Sequence, residues 1–553
     1  MSCYETLELV FEASTDPPNP FEEYLLRLRV IAPSGKVREV DGFFDGDGRG
    51  GQSGRIWKAR LVPDEPGLWS WRAIPGARPE PAFTGLQGVF HSAERSRMGG
   101  LEPVGRHFRV RGGPYLFLVG NFLDRGALPS HLYFGDTVTT SERERLLQRQ
   151  RELHSANKLS IYLANVGDYR RERQGVTVTP WLGEASEPDR SRLDLERWHL
   201  YDALMQRLDR EGFLAELWIF ADDSSFGELS MAERKLLLRY AMARLSSFRN
   251  SLFVVALEWQ EDWEREEVDE AGTLMASRNP WGRPLSVHGL SRADWPFTTA
   301  EWPSFIATQA GNDAQPAEVY RYATRFWKEA GLPHVGEEFG WLGRSLQPAG
   351  WRGLARMWAR RLLLGRGWVR DDEARLRANA WANLCAGAAG GGTGAGLAQM
   401  QTFLGSSRAP LERMVPSSYR VSGGGSVRFV RAEIGSHYLV YSLRGGFRVT
   451  LRGDSLSARW FDPRQGRWAT REMAVKAGIR RFEPPRSVDG DWVLWISNGR
   501  GLGAGLTRLP GGAGISESIH VTGSAAGPRP GRRRAPQAVT LGRATEPEEG
   551  SKG

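Results

Sequence analysis

Cysteine is nearly absent: Cys3 and Cys385 are the only two in 553 residues, so no disulfide framework and no cysteine-based metal site can be built. Long apolar runs are missing as well. No stretch approaches the roughly 18 consecutive apolar residues of a membrane-spanning helix. The start, MSCYETLELVFEAS, lacks a basic segment followed by an apolar core. It reads as a first β-strand and not as a signal peptide. The expected address is therefore the cytoplasm, or a secreted or periplasmic one if the true start lies upstream. No HExxH motif occurs, and the glycine-rich run Gly390 to Gly396 carries no Walker lysine, which argues against a phosphate cradle. Asp45-Gly46-Asp47 resembles the opening of a calcium loop, but the twelfth position is Ile56 where a glutamate is needed, so a hairpin turn is expected. No metal or organic cofactor is expected in the chemistry.

What is present is a globular balance of 40% hydrophobic and 25% charged residues, which excludes a wholly disordered chain. The length is too great for one ordinary core, so several domains are expected. The net charge of +9 could point to nucleic acid or an acidic polysaccharide. The arginines of Arg532-Arg533-Arg534 are bunched near the C-terminus, however, so a basic tail on an ordinary enzyme is the simpler reading and nucleic acid is not the expected partner. The 21 tryptophans are unusual. Most must serve as core, but aromatic faces also stack on sugar rings.

Three patterns follow one another. Over 1–95, apolar and charged residues alternate, as in Leu26, Leu28 and Val30 against Arg27 and Arg29. Trp57, Ala59 and Leu61 alternate likewise with Lys58 and Arg60, and turn signals fall between the runs, predicting a β-sandwich. Over 96–415, strand-like runs alternate with amphipathic helical stretches, the mark of βα units. Eight runs can be counted: 115–120, 159–166, 214–221, 253–257, 284–288, 304–309, 333–337 and 386–391. That is the number a (β/α)8 barrel needs. Over 416–497 alternation returns, predicting a second small β-sandwich. Over 498–553 the chain is rich in Gly, Pro and Arg without periodicity, predicting a disordered tail.

Two of the barrel runs deliver a carboxylate where the apolar character stops: Glu261 in FVVALEWQEDWE and Glu338 in LPHVGEEFGW. On the strand count they end strands four and seven, at the C-terminal rim where barrel enzymes place their chemistry. Two carboxylates facing across a rim cleft are the machinery of glycoside hydrolysis. Glu261 would be the acid/base, with Trp259 and Trp263 as an apolar wall. Its rival Glu258 lies within the strand run, where alternation puts it on the opposite side from Glu261. Glu338, in the order Glu-Phe-Gly, would be the nucleophile, with Glu337 as its competitor.

The three blocks together resemble the apiosidase-like glycoside hydrolases, which join an N-terminal β-sandwich, a TIM barrel and a C-terminal domain of collagen-binding type. The resemblance is carried by GFFDGDG and IWKARLVPDEPGLWSWR, then by PYLFLVGNF, ELWIFADD, VGEEFG and AGAAGGGTGAG, and finally by WFDPRQGRW and FEPPRSVDGDWVLWI. It departs from the family at Gly120-Asn121-Phe122, where Gly-Asp-Thr is usual, and at Gln260-Glu261, where Asn-Glu is usual. The resemblance implies a retaining hydrolase of an oligo- or polysaccharide. Asn165, Asp222, Asp223, Gln260, His288, Gln309 and Trp341 are the candidate substrate-binding residues, with Trp302 as a further subsite candidate. The alternative is a carbohydrate-binding or scaffold protein whose barrel has lost activity.

Overall fold

The computed structural model describes residues 1–23, 25–75, 79–94, 98–121, 139–154, 156–164, 180–184, 187–220, 229–311, 313–340, 373–392, 396–422, 428–485, 490–503 and 508–521. The N-terminal block is a sandwich of two four-stranded sheets. One holds Val37–Asp41, Arg27–Ile31, Gly67–Ala73 and Gln87–Ser92 in that order, all antiparallel. Its alternation is the expected one: Leu28 and Val30 are buried with Trp69 and Trp71. The other holds Phe43–Phe44, Ile56–Leu61 and Thr6–Glu12, and its fourth strand is Ile515–His520, parallel to the first strand of the chain. This corrects the expectation that everything beyond 498 is disordered. Ile515 and Ile519 pack on the sandwich core, an alternation too short and too polar to stand out in sequence.

The outer face of that second sheet is not solvated either. Lys58 and Arg60, expected to face water, are buried because this face lies on the barrel helices Leu195–Glu211 and Met231–Leu245. Arg60 donates to Glu8 at 2.8 Å and to both oxygens of Asp202 at 2.9 and 2.6 Å. Arg244 bridges Asp202 at 2.9 Å and Asp45 at 2.7 Å. Asp45 is thus no mere turn residue: despite burial, the Arg244 guanidinium and its other cationic neighbours hold its carboxyl far below the usual range. Removing one member of such a network leaves an uncompensated buried charge, so it fixes how sandwich and barrel dock.

The sequence builds the barrel helices in the ordinary way. Asp194 caps the helix Leu195–Glu211, which ends on Gly212 at φ 77°. Ser230 and Glu233 form a capping box on Met231–Leu245, and Pro316 opens Pro316–Glu329.

The parallel sheet runs through nine short pieces, of which Leu285–Ser286 and His288–Gly289 follow each other in one strand, leaving eight strands. They are Leu118–Asn121, Lys158–Ala164, Leu214–Phe220, Ser251–Ala256, 285–289, Ile306–Gln309, His334–Glu338 and Gly390–Gly391. Strand five pairs with strand four through its first half and with strand six through its second, which closes the barrel. Each of the eight expected runs contains a barrel strand, although only Gly390–Gly391 of the last is strand and Tyr115–Leu116 of the first belongs to another sheet. A small antiparallel sheet of Leu101–Val104, His107–Val110 and Tyr115–Leu116 precedes strand one. It plugs the N-terminal end: Leu101, Phe108 and Val110 share a core with Leu214, Leu252, Phe305 and Val335.

The C-terminal block packs a larger antiparallel sheet, with Arg428–Glu433, His437–Ser442, Trp492–Ser497 and Leu456–Asp462 at its centre, against a three-stranded one. It is joined to the barrel through Trp381 and Phe403 against Tyr441, Phe461 and Trp495. A bidentate pair, Arg377 to Asp491 at 2.8 Å for both bonds, reinforces the junction.

Candidate functional site at the barrel rim

Strand four ends at Ala256, two residues before Glu258. Glu258 sits in the left-handed region, φ 44° and ψ 48°, and starts a 3-10 turn over Trp259–Glu261. A non-glycine residue there is uncommon, and such backbones concentrate at functional sites. The turn redirects the chain so that Glu258, half-buried, faces the barrel axis while Glu261 is exposed. The Gln309 amide at the end of strand six donates to Glu258 Oε1. The Glu258 backbone N–H donates to His288 Nδ1 at 3.4 Å.

His288 is fully buried beside Trp218, ring centroids 5.1 Å apart, and burial lowers its pKa to about 3. It is therefore neutral at neutral pH. Accepting at Nδ1 places its proton on Nε2, and Nε2 has no protein partner among the described residues. The imidazole thus presents a spare donor beneath the rim.

Strand seven brings two adjacent glutamates, and a register shift against strand six sets them apart. Thr308 pairs with Gly336, but Gln309 pairs with Glu338, so one residue is bulged out between them. Paired residues of adjacent parallel strands share a face, which puts Glu338 on the side of Gln309 and hence of Glu258. Phe339 then points outward, into the core shared with Trp381 and Leu384. Glu338 is 7% exposed.

Glu337 belongs to a different assembly deeper in the barrel. Lys158 Nζ, on strand two, donates to Glu337 Oε2 at 2.7 Å and to Glu216 Oε2, and Ser160 Oγ donates to Glu216 at 2.8 Å. All three charged side chains are wholly buried. Burial, and then the charge of Glu216, raise the Glu337 carboxyl to about 8 against the pull of Lys158. Burial opposes ionisation of Glu216 too, but Lys158 outweighs it and keeps Glu216 below the usual range. The triad thus carries one positive and one negative charge at neutral pH. Gly392 makes room for it, since a Cβ there would lie 2.1 Å from the Glu337 carbonyl oxygen.

The structure brings together three of the sequence-expected residues, His288, Gln309 and Glu338. It does not bring Glu261 to them. The alternation argument assumed that the strand continued through residue 261, and the 3-10 turn reverses the outcome. Gln260 is also turned away: its Oε1 accepts from Leu290 N at 2.9 Å and its Nε2 donates to the Asp294 carbonyl at 3.5 Å, tying down the loop after strand five. Trp302 is core, 6% exposed and packed against Gly272 and Phe297. Asn165, Asp222, Asp223 and Trp341 lie outside the described residues. Lys158 and Glu216 were missed: Glu216 showed as a charge within the apolar run 214–221, whereas Lys158 lies one residue before the run 159–166. Among the described residues, no group of three or more His, Cys, Asp or Glu side chains is placed to hold a metal ion.

A closed barrel with carboxylates at its C-terminal rim, flanked by β-sandwiches, defines the class of architecture. A family described as a domain of unknown function, DUF5060, matches residues 1–74. A family described as "putative collagen-binding domain of a collagenase" matches residues 425–497. No curated protein matches the chain in sequence. Among solved structures, a "putative glycoside hydrolase" from Bacteroides vulgatus ATCC 8482 is 16% identical, with a TM-score of 0.68 over 90% of this chain and 99% of that one. A structure named glycoside hydrolase is 15% identical, with a TM-score of 0.55 over 72% of this chain and 97% of that one. A family 5 glycoside hydrolase, also from Bacteroides vulgatus ATCC 8482, is 13% identical, with a TM-score of 0.55 over 75% and 97%. At these identities the likeness is one of fold, and it spans all three blocks in the first case.

Proposed function

We propose that the chain is a retaining glycoside hydrolase acting on an oligo- or polysaccharide, with Glu338 as nucleophile and Glu258 as acid/base. The barrel, 96–415, is its catalytic domain, and 1–95 and 416–497 are flanking β-domains of apiosidase-like arrangement. One observation carries the reading: Gln309 holds Glu258 through its side chain and registers with Glu338 through its backbone. That arrangement supports glutamates from strands four and seven acting together around one residue. The fold shared with structures named glycoside hydrolases supports it.

In this mechanism Glu338 attacks the anomeric carbon while Glu258 gives its proton to the departing glycosidic oxygen. Glu258 then takes a proton from water, which displaces Glu338 and releases the sugar with its anomeric configuration kept. The Gln309 amide fixes the Glu258 carboxyl in place, and the buried His288 ring accepts from the Glu258 backbone N–H and steadies its turn.

The test is hydrolysis of aryl glycosides and of plant and bacterial polysaccharides, with the first-formed anomer read by proton NMR. Release of a sugar of retained configuration by the wild type, and none by Glu338→Ala, is the expected result. An inverted first product would overturn the retaining mechanism. Silence from the wild type, with glycan binding kept, would make the chain a carbohydrate-binding protein.

A further inference from the structure

The positive charge of the chain is not spread evenly. Residues 416–497 hold 14 arginines and lysines against seven acidic residues, so this block carries +7, whereas 1–415 is slightly acidic. Part of that excess is gathered on one surface. The larger sheet of the block gives one face to the barrel, through Tyr441, Phe461 and Trp495, and the other to the three-stranded sheet. The three-stranded sheet, with Val421–Ser422, Phe447–Leu451 and Gly478–Phe482 in that order, is therefore the layer farthest from the barrel. Phe447, Val449 and Leu451 enter the core between the two sheets, so Arg448 and Thr450 face outward, with Ser422, Ile479 and Arg481 beside them on the neighbouring strands. Arg448 lies directly opposite Arg481, and the exposed Arg452 follows one residue past the strand end. The one carboxylate paired here is Glu483, 2.6 Å from Arg481 on the surface. Arg448 and Arg452 have no acidic partner among the described residues. Like charges directly opposite across two strands are destabilising, and these side chains are exposed, so packing does not explain them.

We propose that this outer sheet face docks a carboxylate-bearing polysaccharide, with Arg448, Arg452 and Arg481 on its acidic groups. Charge complementarity selects an anion, and the shape of the face selects a polymer. The face is a flat sheet and not a pocket, and an exposed ion pair is worth little singly. A small anion is therefore not held, whereas a chain of repeating charges engages several arginines at once and gains from their linkage. Arginine suits the task, because its planar guanidinium meets a carboxylate through two parallel hydrogen bonds. Ile479, 67% exposed, adds apolar surface between the charges, which the C–H face of a sugar ring covers. Nucleic acid fits less well. Its readers send a helix or ribbon into a groove, or stack bases on aromatic rings, and the outward positions of this sheet offer neither. The choice of a glycan rests on reading the chain as a glycoside hydrolase; the basic face itself does not. Since the face points away from the barrel, it holds the polymer without competing for the rim.

The experiment measures binding of the full chain to immobilised polygalacturonate at low and at high salt, with free galacturonate, neutral dextran and duplex DNA as competitors. It is run on Glu338→Ala, so that turnover does not consume the polymer. In that background it compares a double variant, Arg448→Gln with Arg481→Gln, the same pair changed to lysine, and a tail variant with Arg532, Arg533 and Arg534 each changed to glutamine. Saturable binding that salt weakens, and that galacturonate and dextran fail to displace, is the expected result. The glutamine pair should weaken it at least about tenfold, while the lysine pair and the tail variant keep most of it. The glutamine pair removes a cross-strand repulsion, so its melting midpoint should stay level or rise, which separates lost binding from lost folding. Absence of saturable binding overturns the proposal. So does binding that the glutamine pair leaves intact, or that the tail variant abolishes. Duplex DNA that displaces the polymer at equal charge would make the face a nucleic-acid surface and overturn it too. Binding is read without turnover, and the glutamine pair in the otherwise wild-type chain keeps the rate on small aryl glycosides. Failure here is thus distinct from failure of the rim assignment.

Discussion

Replacing Lys158 by methionine removes the only cation that the described structure places against Glu216 and Glu337 in the barrel interior. Methionine fills most of the same volume, so packing changes little and the effect is electrostatic. The two carboxylates do not count equally. Glu337, raised to about 8, is protonated at neutral pH and loses a hydrogen-bond partner, whereas Glu216 is left ionised and unpaired. Stranding one buried charge costs about 3–5 kcal/mol. At about 2 °C per kcal/mol for a domain of this size, the barrel transition should fall by about 6–10 °C. Calorimetry at neutral pH, with near-ultraviolet circular dichroism to confirm a native fold before heating, measures it. A triple variant, Lys158→Met, Glu216→Leu and Glu337→Leu, should recover most of the loss, because a buried ion cluster roughly breaks even with an apolar one. A Lys158→Met barrel within about 1 kcal/mol of the wild type, or a triple variant weaker than the single one, would refute the reasoning.

Three further outcomes follow from the same geometry. The native chain keeps a proton on Glu337 that the unfolded chain releases above its ordinary value of 4.5, so this contribution to stability is full below that pH and is lost as pH rises through about 8. Glu337→Gln, which copies the protonated form, should flatten that decline in urea titrations from about pH 5 to about pH 9, and an unchanged slope would contradict it. Gly392→Ala would set a methyl 2.1 Å from the Glu337 carbonyl oxygen and 2.7 Å from its Oε2. It should cost about 1–3 kcal/mol, read as a lower urea midpoint, and an unmoved midpoint would show that the strand can shift aside. Ending the chain at residue 507 removes the strand Ile515–His520 and reopens the edge of Thr6–Glu12. It also takes away the Gly514 N–H that bonds Asp209. The sandwich should melt earlier and associate through the bared edge, and a monomer of unchanged stability would deny the strand its role.

The barrel was legible because its signal is repetitive. Eight apolar runs of strand length separated by amphipathic stretches leave few alternatives, and each run contains a barrel strand. The same patterning argument failed at Lys58 and Arg60. It assumes that a sheet has one wet face, whereas here both faces are covered, one by the barrel helices. It failed again at Ile515–His520, whose partner lies at the opposite end of the chain. At the rim, Glu338 was singled out from its place at the end of a run and from Glu-Phe-Gly, and its role as nucleophile is a proposal. The bulge that turns it toward Gln309 is a property of strand pairing that no single segment reveals. Glu258 was set aside for Glu261 on the assumption of a regular strand. A left-handed residue followed by a 3-10 turn breaks that regularity, and glutamate gives no warning of it as glycine or asparagine would. Glu216 needed no long-range knowledge to be noticed, only the question of what a charge does inside a barrel, whereas Lys158 was hidden by a strand boundary set one residue late.

The central claim is that Glu258, and not Glu261, works with Glu338. The direct measurement compares kcat for Glu258→Ala, Glu261→Ala and Glu338→Ala on two aryl glycosides of one sugar, one with a dinitrophenolate leaving group and one with an unactivated phenolate. Loss of general acid catalysis should cost Glu258→Ala about 10²–10⁴-fold on the unactivated substrate and far less in its first step on the activated one. Glu338→Ala should lose both, and Glu261→Ala should stay near the wild type on both. A Glu261→Ala variant with the leaving-group signature, beside a Glu258→Ala variant without it, would contradict the account.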